Sequence, residues 1–94
     1  MSNMSLLSSR QALADCVEFI YFIKNTYNLT GSKVIAIGGS YSGNLAAWLR
    51  EKYPHAVDIA ISSSAPYFAK LDFPEYLNHS SEQFKVVGNE TCYQ

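Results

Sequence analysis

Ninety-four residues suit one small domain, and a composition of 48% hydrophobic against 16% charged residues belongs to a globular chain rather than a disordered one. A formal net charge of −1, with Lys24, Lys33, Arg50, Lys52, Lys70 and Lys85 scattered rather than blocked, excludes a basic footprint for nucleic acid or an anionic membrane surface. No apolar stretch approaches the ~20 residues of a membrane span, so the chain reads as soluble, and its shortness predicts a fold that is marginal or dependent on more protein.

The run Met1-Ser2-Asn3-Met4-Ser5 has neither the basic nor the apolar region of a signal peptide, which by itself points to the cytosol. Against that stand four N-x-[ST] acceptor patterns, at Asn3, Asn28, Asn78 and Asn89, which use four of the six asparagines. Asn78 and Asn89, in the polar carboxy-terminal part, are the favoured glycosylation candidates, with Asn28 behind them.

Ser8 followed by Gln11 forms a capping-box pattern, and Leu13, Cys16, Val17, Ile20, Ile23 and Tyr27 then recur at helical spacing. The spacing predicts a helix over 9–27, with Cys16 a small buried hydrophobe on its apolar face. Residues 28–32 supply a turn. Val34-Ile35-Ala36-Ile37 is a short continuous apolar run, of the kind buried on both faces of a parallel sheet. Beyond the glycines, Leu45, Trp48 and Leu49 mark one side of a helix over 41–52, closed by Tyr53-Pro54 because the residue before proline avoids helical angles. A second buried strand is expected over 57–62, ended by Ser63-Ser64-Ala65-Pro66. From Tyr67 the pattern weakens and becomes more aromatic, with a helix expected over 73–83. Helix, strand, helix, strand describes α/β crossovers in a parallel sheet. The division is residues 1–66 as a partial α/β domain and 67–94 as the beginning of a second, helical region.

Chemistry concentrates in Ile37-Gly38-Gly39-Ser40-Tyr41-Ser42-Gly43. Buried strand, glycines around a serine, then amphipathic helix is the context of a nucleophile elbow, a turn so tight that the residues two before and two after the serine must be small. Here those are Gly38 and Ser42, with Gly39 beside the serine. Ser42 departs from G-x-S-x-G, but Gly43 still lets the helix start approach the strand. In such a turn Ser40 is the nucleophile and the Tyr41 backbone N–H donates to the oxyanion. A phosphate loop competes for the same elements, yet Gly43 is followed by Asn44-Leu45 rather than Lys-[Ser/Thr], and Gly38, Gly39 and Gly43 lack G-x-G-x-x-G spacing. Asp58 stands near the distance of a ribose-binding acid, but at the wrong end of its strand. The plainest alternative is that Ser40 merely caps a helix.

Over residues 7–76 the chain resembles the prolylcarboxypeptidase, dipeptidyl peptidase II and thymus-specific serine protease family. The resemblance lies in LSSRQALAD over 7–15, GGSYSGNLAAWLREKYPH over 38–55, Ser63-Ser64-Ala65-Pro66, Asp72-Phe73 and Glu75-Tyr76. It implies a secreted or lumenal, lysosomal or vesicular serine exopeptidase, cleaving next to proline or after a penultimate small residue. Its expected fold is an α/β-hydrolase domain with an inserted helical domain that begins after Asp72. Cys92, flanked by polar residues, suits a disulfide to a partner beyond this chain, and it resembles a cysteine so bonded in the insertion. The two cysteines have no metal-ligand spacing, and the chemistry calls for a peptide substrate and for no cofactor or metal.

A serine nucleophile needs a base and an orienting acid. Ser40, Asp72 and His79 stand in a permitted order but do not suit this fold, whose acid and histidine follow later strands. By resemblance both lie downstream of this sequence. His55 reads as a packing or surface histidine, and Asp15 and Asp58 as structural. The 94 residues alone are expected to be inactive. A partial serine peptidase, a non-catalytic remnant or binding protein, and another α/β-hydrolase such as an esterase remain open.

Overall fold

The computed structural model describes residues 4–93, and the side chains of residues 4–88. Its elements run α1 (Ser9–Thr26), β1 (Ile35–Gly39), α2 (Tyr41–Lys52), β2 (Ile59–Ser63) and α3 (Pro74–Tyr93). The two strands pair in parallel, with Ile35 opposite Ile59 and Gly39 opposite Ser63, and α2 is the crossover between them. The chain is therefore α/β.

Ser8 caps α1, its Oγ accepting the Gln11 N–H at 3.2 Å. Only half of the capping box forms, because the Ser8 N–H already donates to the Leu6 carbonyl and the Gln11 amide turns to Asp15 Oδ1 at 2.8 Å. At the other end Asn28 takes a left-handed φ of 56° while the Leu29 N–H reaches back to the Lys24 carbonyl at 2.7 Å, which is the Schellman way of ending a helix. α2 closes at Tyr53 before Pro54, with the Tyr53 N–H on the Leu49 carbonyl.

The core gathers Leu13 and Val17 of α1, Leu49 of α2, and Ala56 and Val57 ahead of β2, with Ile20, Val34, Ala36, Leu45, Trp48 and Tyr53 packed against them. Cys16 corrects the expectation of a buried thiol: it is exposed, as is Tyr27, because the buried stripe of α1 is narrower than the apolar pattern. The strands also differ from expectation. They start one or two residues later, since the Val34 carbonyl receives both the Asp58 and Ile59 N–H groups before the ladder opens. They also run on, through Gly38-Gly39 in β1 and by one residue, Ser63, in β2.

Nor are the strands buried on both faces. Parallel register and the two-residue period of a strand put Ile35, Ile37, Ile59 and Ile61 on one face, where they remain 50–73% exposed. α2 packs on both strands and α1 on α2, while α3 packs on none of the other elements. α3 also runs ten residues past the end of the predicted 73–83, reaching Tyr93, and leaves Tyr76, Leu77, Phe84, Val86 and Val87 exposed. The radius of gyration, 18.9 Å, is well above the ~12 Å expected of a compact domain of this length. The isolated 94 residues are accordingly expected to show no cooperative heat-absorption peak in calorimetry, and to self-associate through the open isoleucine face. A sharp transition from a soluble monomer would contradict this.

Candidate active site

Ser40 stands where β1 gives way to α2, at the carboxyl end of the strand, and is exposed. Its φ of 55° and ψ of −131° lie outside the regions open to an ordinary L-residue, a strain on the order of 1–3 kcal/mol. Backbone bonds on both sides hold it there. The Ser40 N–H donates to the Ser63 carbonyl at 2.9 Å, and the Ser40 carbonyl accepts the Gly43 N–H at 2.9 Å. Ser40 occupies the N-cap position, yet its side chain makes no cap bond. The hydroxyl is left outside the turn, at the positive end of the helix dipole.

The glycines around it serve unequal purposes. A Cβ on Gly38 would lie 2.0 Å from the Ser42 carbonyl oxygen, so the turn closes only because that position has no side chain. A Cβ on Gly39 would meet nothing nearer than the Ser63 oxygen at 3.9 Å. Two residues after the serine, Ser42 is exposed, although its backbone lies against Gly38 of β1. The close approach falls instead at Gly43, whose added Cβ would meet Ala65 Cβ at 2.9 Å, Ser62 Oγ at 3.0 Å and the Ser63 oxygen at 3.1 Å. Tyr41 opens α2, so its N–H is one of the first-turn donors without an intrahelical acceptor. Its ring stands edge-on to Trp48 at 6.4 Å between centroids.

The exit of β2 is clasped to this turn. Ser62 Oγ donates to the Gly43 carbonyl at 2.8 Å, and the Tyr67 hydroxyl donates to Ser62 Oγ. Asn44, 2% exposed, sends Nδ2 to the Pro66 carbonyl at 3.1 Å, while its Oδ1 has no partner among the described residues. Ser64, abreast of Ser40, is itself left-handed at φ 50°.

The titratable groups are placed elsewhere. Asp58 lies at the amino end of β2, bonded to Lys33 Nζ at 2.8 Å and to the Val34 N–H at 2.9 Å. The Lys33 hydrogen bond, then that of Val34, holds the Asp58 carboxyl below its ordinary value. Its pairing thus stabilises the fold above the usual carboxylate range and is lost as pH falls through the lowered value. Asp58 joins the starts of the two strands, the end opposite Ser40. Asp15 accepts from Gln11, and His55 packs edge-on to Tyr53 at 6.0 Å. Asp72 and His79 are exposed, His79 on α3, and among the described residues no hydrogen bond joins either to Ser40. Asn28 is exposed in the turn after α1 and Asn78 is exposed on α3. Asn3 and the side chains of Asn89 and Cys92 lie outside the described residues. Also among the described residues, no three His, Cys, Asp or Glu side chains converge on a metal position, and no helix is long and apolar enough to cross a membrane. An open cleft of about 670 Å³ between α1, β1 and α2, lined by Leu13, Phe19, Ile37 and Leu45, is the uncovered flank of the core and excludes Ser40.

The family model for serine carboxypeptidase S28 matches residues 1–94. The chain belongs to the serine carboxypeptidase S28 family. Among curated S28 relatives, it is 47% identical to thymus-specific serine protease of Homo sapiens over 98% of this chain and 19% of that protein. It is 52% identical to lysosomal Pro-X carboxypeptidase of Mus musculus over 94% of this chain and 17% of that protein. With prolyl carboxy peptidase like protein 5 of Caenorhabditis elegans the identity is 54%, over 78% of this chain and 15% of that protein. This S28 chain thus spans less than a fifth of the length of these relatives.

Sequence reasoning on the S28 segment missed Asn44, Ser62 and Tyr67. The signal for Asn44 was a carboxamide in the first turn of an amphipathic helix between Gly43 and Leu45, where a solvent-facing residue is the ordinary occupant. Its partner, Pro66, is 22 residues away, and no local pattern connects them.

Proposed function

We propose that Ser40 is the nucleophile of a serine-type exopeptidase, built on an α/β-hydrolase domain and acting through an acyl-enzyme on peptides with a proline next to the scissile bond. The observation that carries the reading is the strained turn at φ 55°, which leaves the Ser40 hydroxyl uncommitted at a helix amino terminus. Ser40 Oγ attacks the scissile carbonyl while a histidine accepts its proton; the amine leaves with that proton, and water then releases the acyl group from Ser40. The Tyr41 N–H donates to the oxyanion, and such a donor contributes about 2.7–4 kcal/mol at the transition state. The preference for proline and a lysosomal location draw on the name of lysosomal Pro-X carboxypeptidase, and a secreted one only on the family resemblance of the sequence.

The histidine, its acid and the second oxyanion donor are assigned to the remaining length of a longer peptidase, which leaves the 94-residue chain inactive alone. In that protein residues 1–66 are part of the hydrolase domain and 67–94 open the inserted helical region; the independence of α3 from the sheet supports this division. Treatment of the full-length peptidase with a fluorophosphonate, followed by peptide mapping, is expected to find one adduct, on Ser40, and none on the 94-residue chain. An adduct on another serine would overturn the assignment. Labelling of the short chain would show that it carries its own base.

A further inference from the structure

Of the acceptor patterns along the chain, the geometry points to Asn28: we propose that Asn28 carries an N-linked glycan. The inference rests on the lumenal location proposed above. Asn28 is the left-handed residue that ends α1, a position that favours glycine or asparagine, so its backbone role and its side chain are separable. The backbone turn is closed by the Asn28 and Leu29 N–H groups on Asn25 and Lys24, while the side-chain amide bonds to no described residue. Asn28, Leu29 and Thr30 are all exposed in an irregular turn, the setting in which an N-x-[ST] acceptor is used.

The competing pattern at Asn78 is wound into α3. At 3.6 residues per turn, side chains two apart on a helix diverge by roughly 200°, so Asn78 and Ser80 point to opposite sides. Ser80 Oγ is moreover spent on the Tyr76 carbonyl at 3.1 Å. A glycan at Asn28 is also compatible with catalysis. It sits before the amino end of β1, and the five residues of that strand, roughly 16 Å at ~3.3 Å each, separate this pole from Ser40.

Chemically, Asn28 Nδ2 attacks the anomeric carbon of an oligosaccharide carried on a lipid diphosphate. A C–N bond forms, the C–O bond to the diphosphate breaks, and the lipid diphosphate leaves with the electron pair. The amide gives up one proton to a base of the transferring enzyme, and no oxidation state changes.

The test expresses the full chain in a eukaryotic secretory host, once in its native flanking sequence and once behind a cleavable secretion leader. Total protein is digested with peptide N-glycosidase, which leaves aspartate where the glycan stood. The leader-bearing form is expected to yield aspartate at position 28 and to gain mobility on digestion. Asn28→Gly, which keeps the left-handed turn, and Thr30→Ala should each abolish that signal, while Thr30→Ser preserves it. Because total protein is read, a variant that folds poorly still reports. An unmodified Asn28 peptide in the leader-bearing form, with or without glycan at Asn78 or Asn89, overturns the proposal. Modification behind the leader but not in the native context upholds Asn28 as an acceptor and overturns the lumenal reading.

Discussion

Replacing Ser40 by alanine in the full-length peptidase is expected to lower kcat for a proline-linked peptide by on the order of 10⁶, the scale seen when a serine nucleophile is removed elsewhere, with KM changed little. The geometry makes this a clean substitution. Alanine keeps the Cβ at φ 55°, so the strain of the turn is unchanged, and the lost Oγ makes no cap bond to α2. Stability should therefore stay within about 0.5 kcal/mol, as for an exposed site away from any special contact. A serine that merely capped the helix predicts the reverse pattern, a loss of about 1 kcal/mol in stability with activity intact. Steady-state kinetics on a Pro-X peptide, paired with chemical denaturation, separates the two. Retention of kcat within about tenfold would exclude Ser40 as the nucleophile.

Gly38→Ala carries the second largest effect, and its target is the turn rather than the chemistry. A methyl group 2.0 Å from the Ser42 oxygen cannot be absorbed by a rotamer change, because the obstacle is backbone in the first turn of α2. Either the helix start lifts from β1 or the Ser40 dihedrals relax, and both dissolve the arrangement in which Ser63 and Gly43 hold Ser40. The expected loss is about 3 kcal/mol or more, the upper range for overpacking, together with loss of fluorophosphonate labelling. Gly39→Ala is the control. Its Cβ would meet only the Ser63 oxygen at 3.9 Å, so it should change stability by less than about 1 kcal/mol. Equal effects at the two positions, measured by denaturant midpoint in the full-length protein, would mean that the turn is not sterically closed at Gly38.

The difference between neighbouring glycines shows how far the sequence could be read. Spacing and punctuation placed α1 and α2 to within one residue, because a helix is decided by residues three and four apart and ended by its own Asn28 turn or Tyr53-Pro54. An apolar run, glycines and an amphipathic helix likewise placed Ser40 between β1 and α2. Those are local matters of sterics and hydrogen bonding, and the sequence by itself determined them.

The tertiary structure decided whatever depends on atoms distant along the chain. Ile35 and Ile37 read as buried, but burial needs a layer on each face, and α2 supplies one. Cys16 lies within the apolar stripe of α1 by period, yet the partner surface is too narrow to cover it. That Gly43 admits a close approach was legible in the sequence, but which atoms make it, Ser62 and Ser63 of β2 and Ala65 beyond its end, was settled by packing. Asn44 is buried because Pro66 arrives beside it. Periodicity records which side of an element is apolar; only the packed chain determines what meets that side, and how closely.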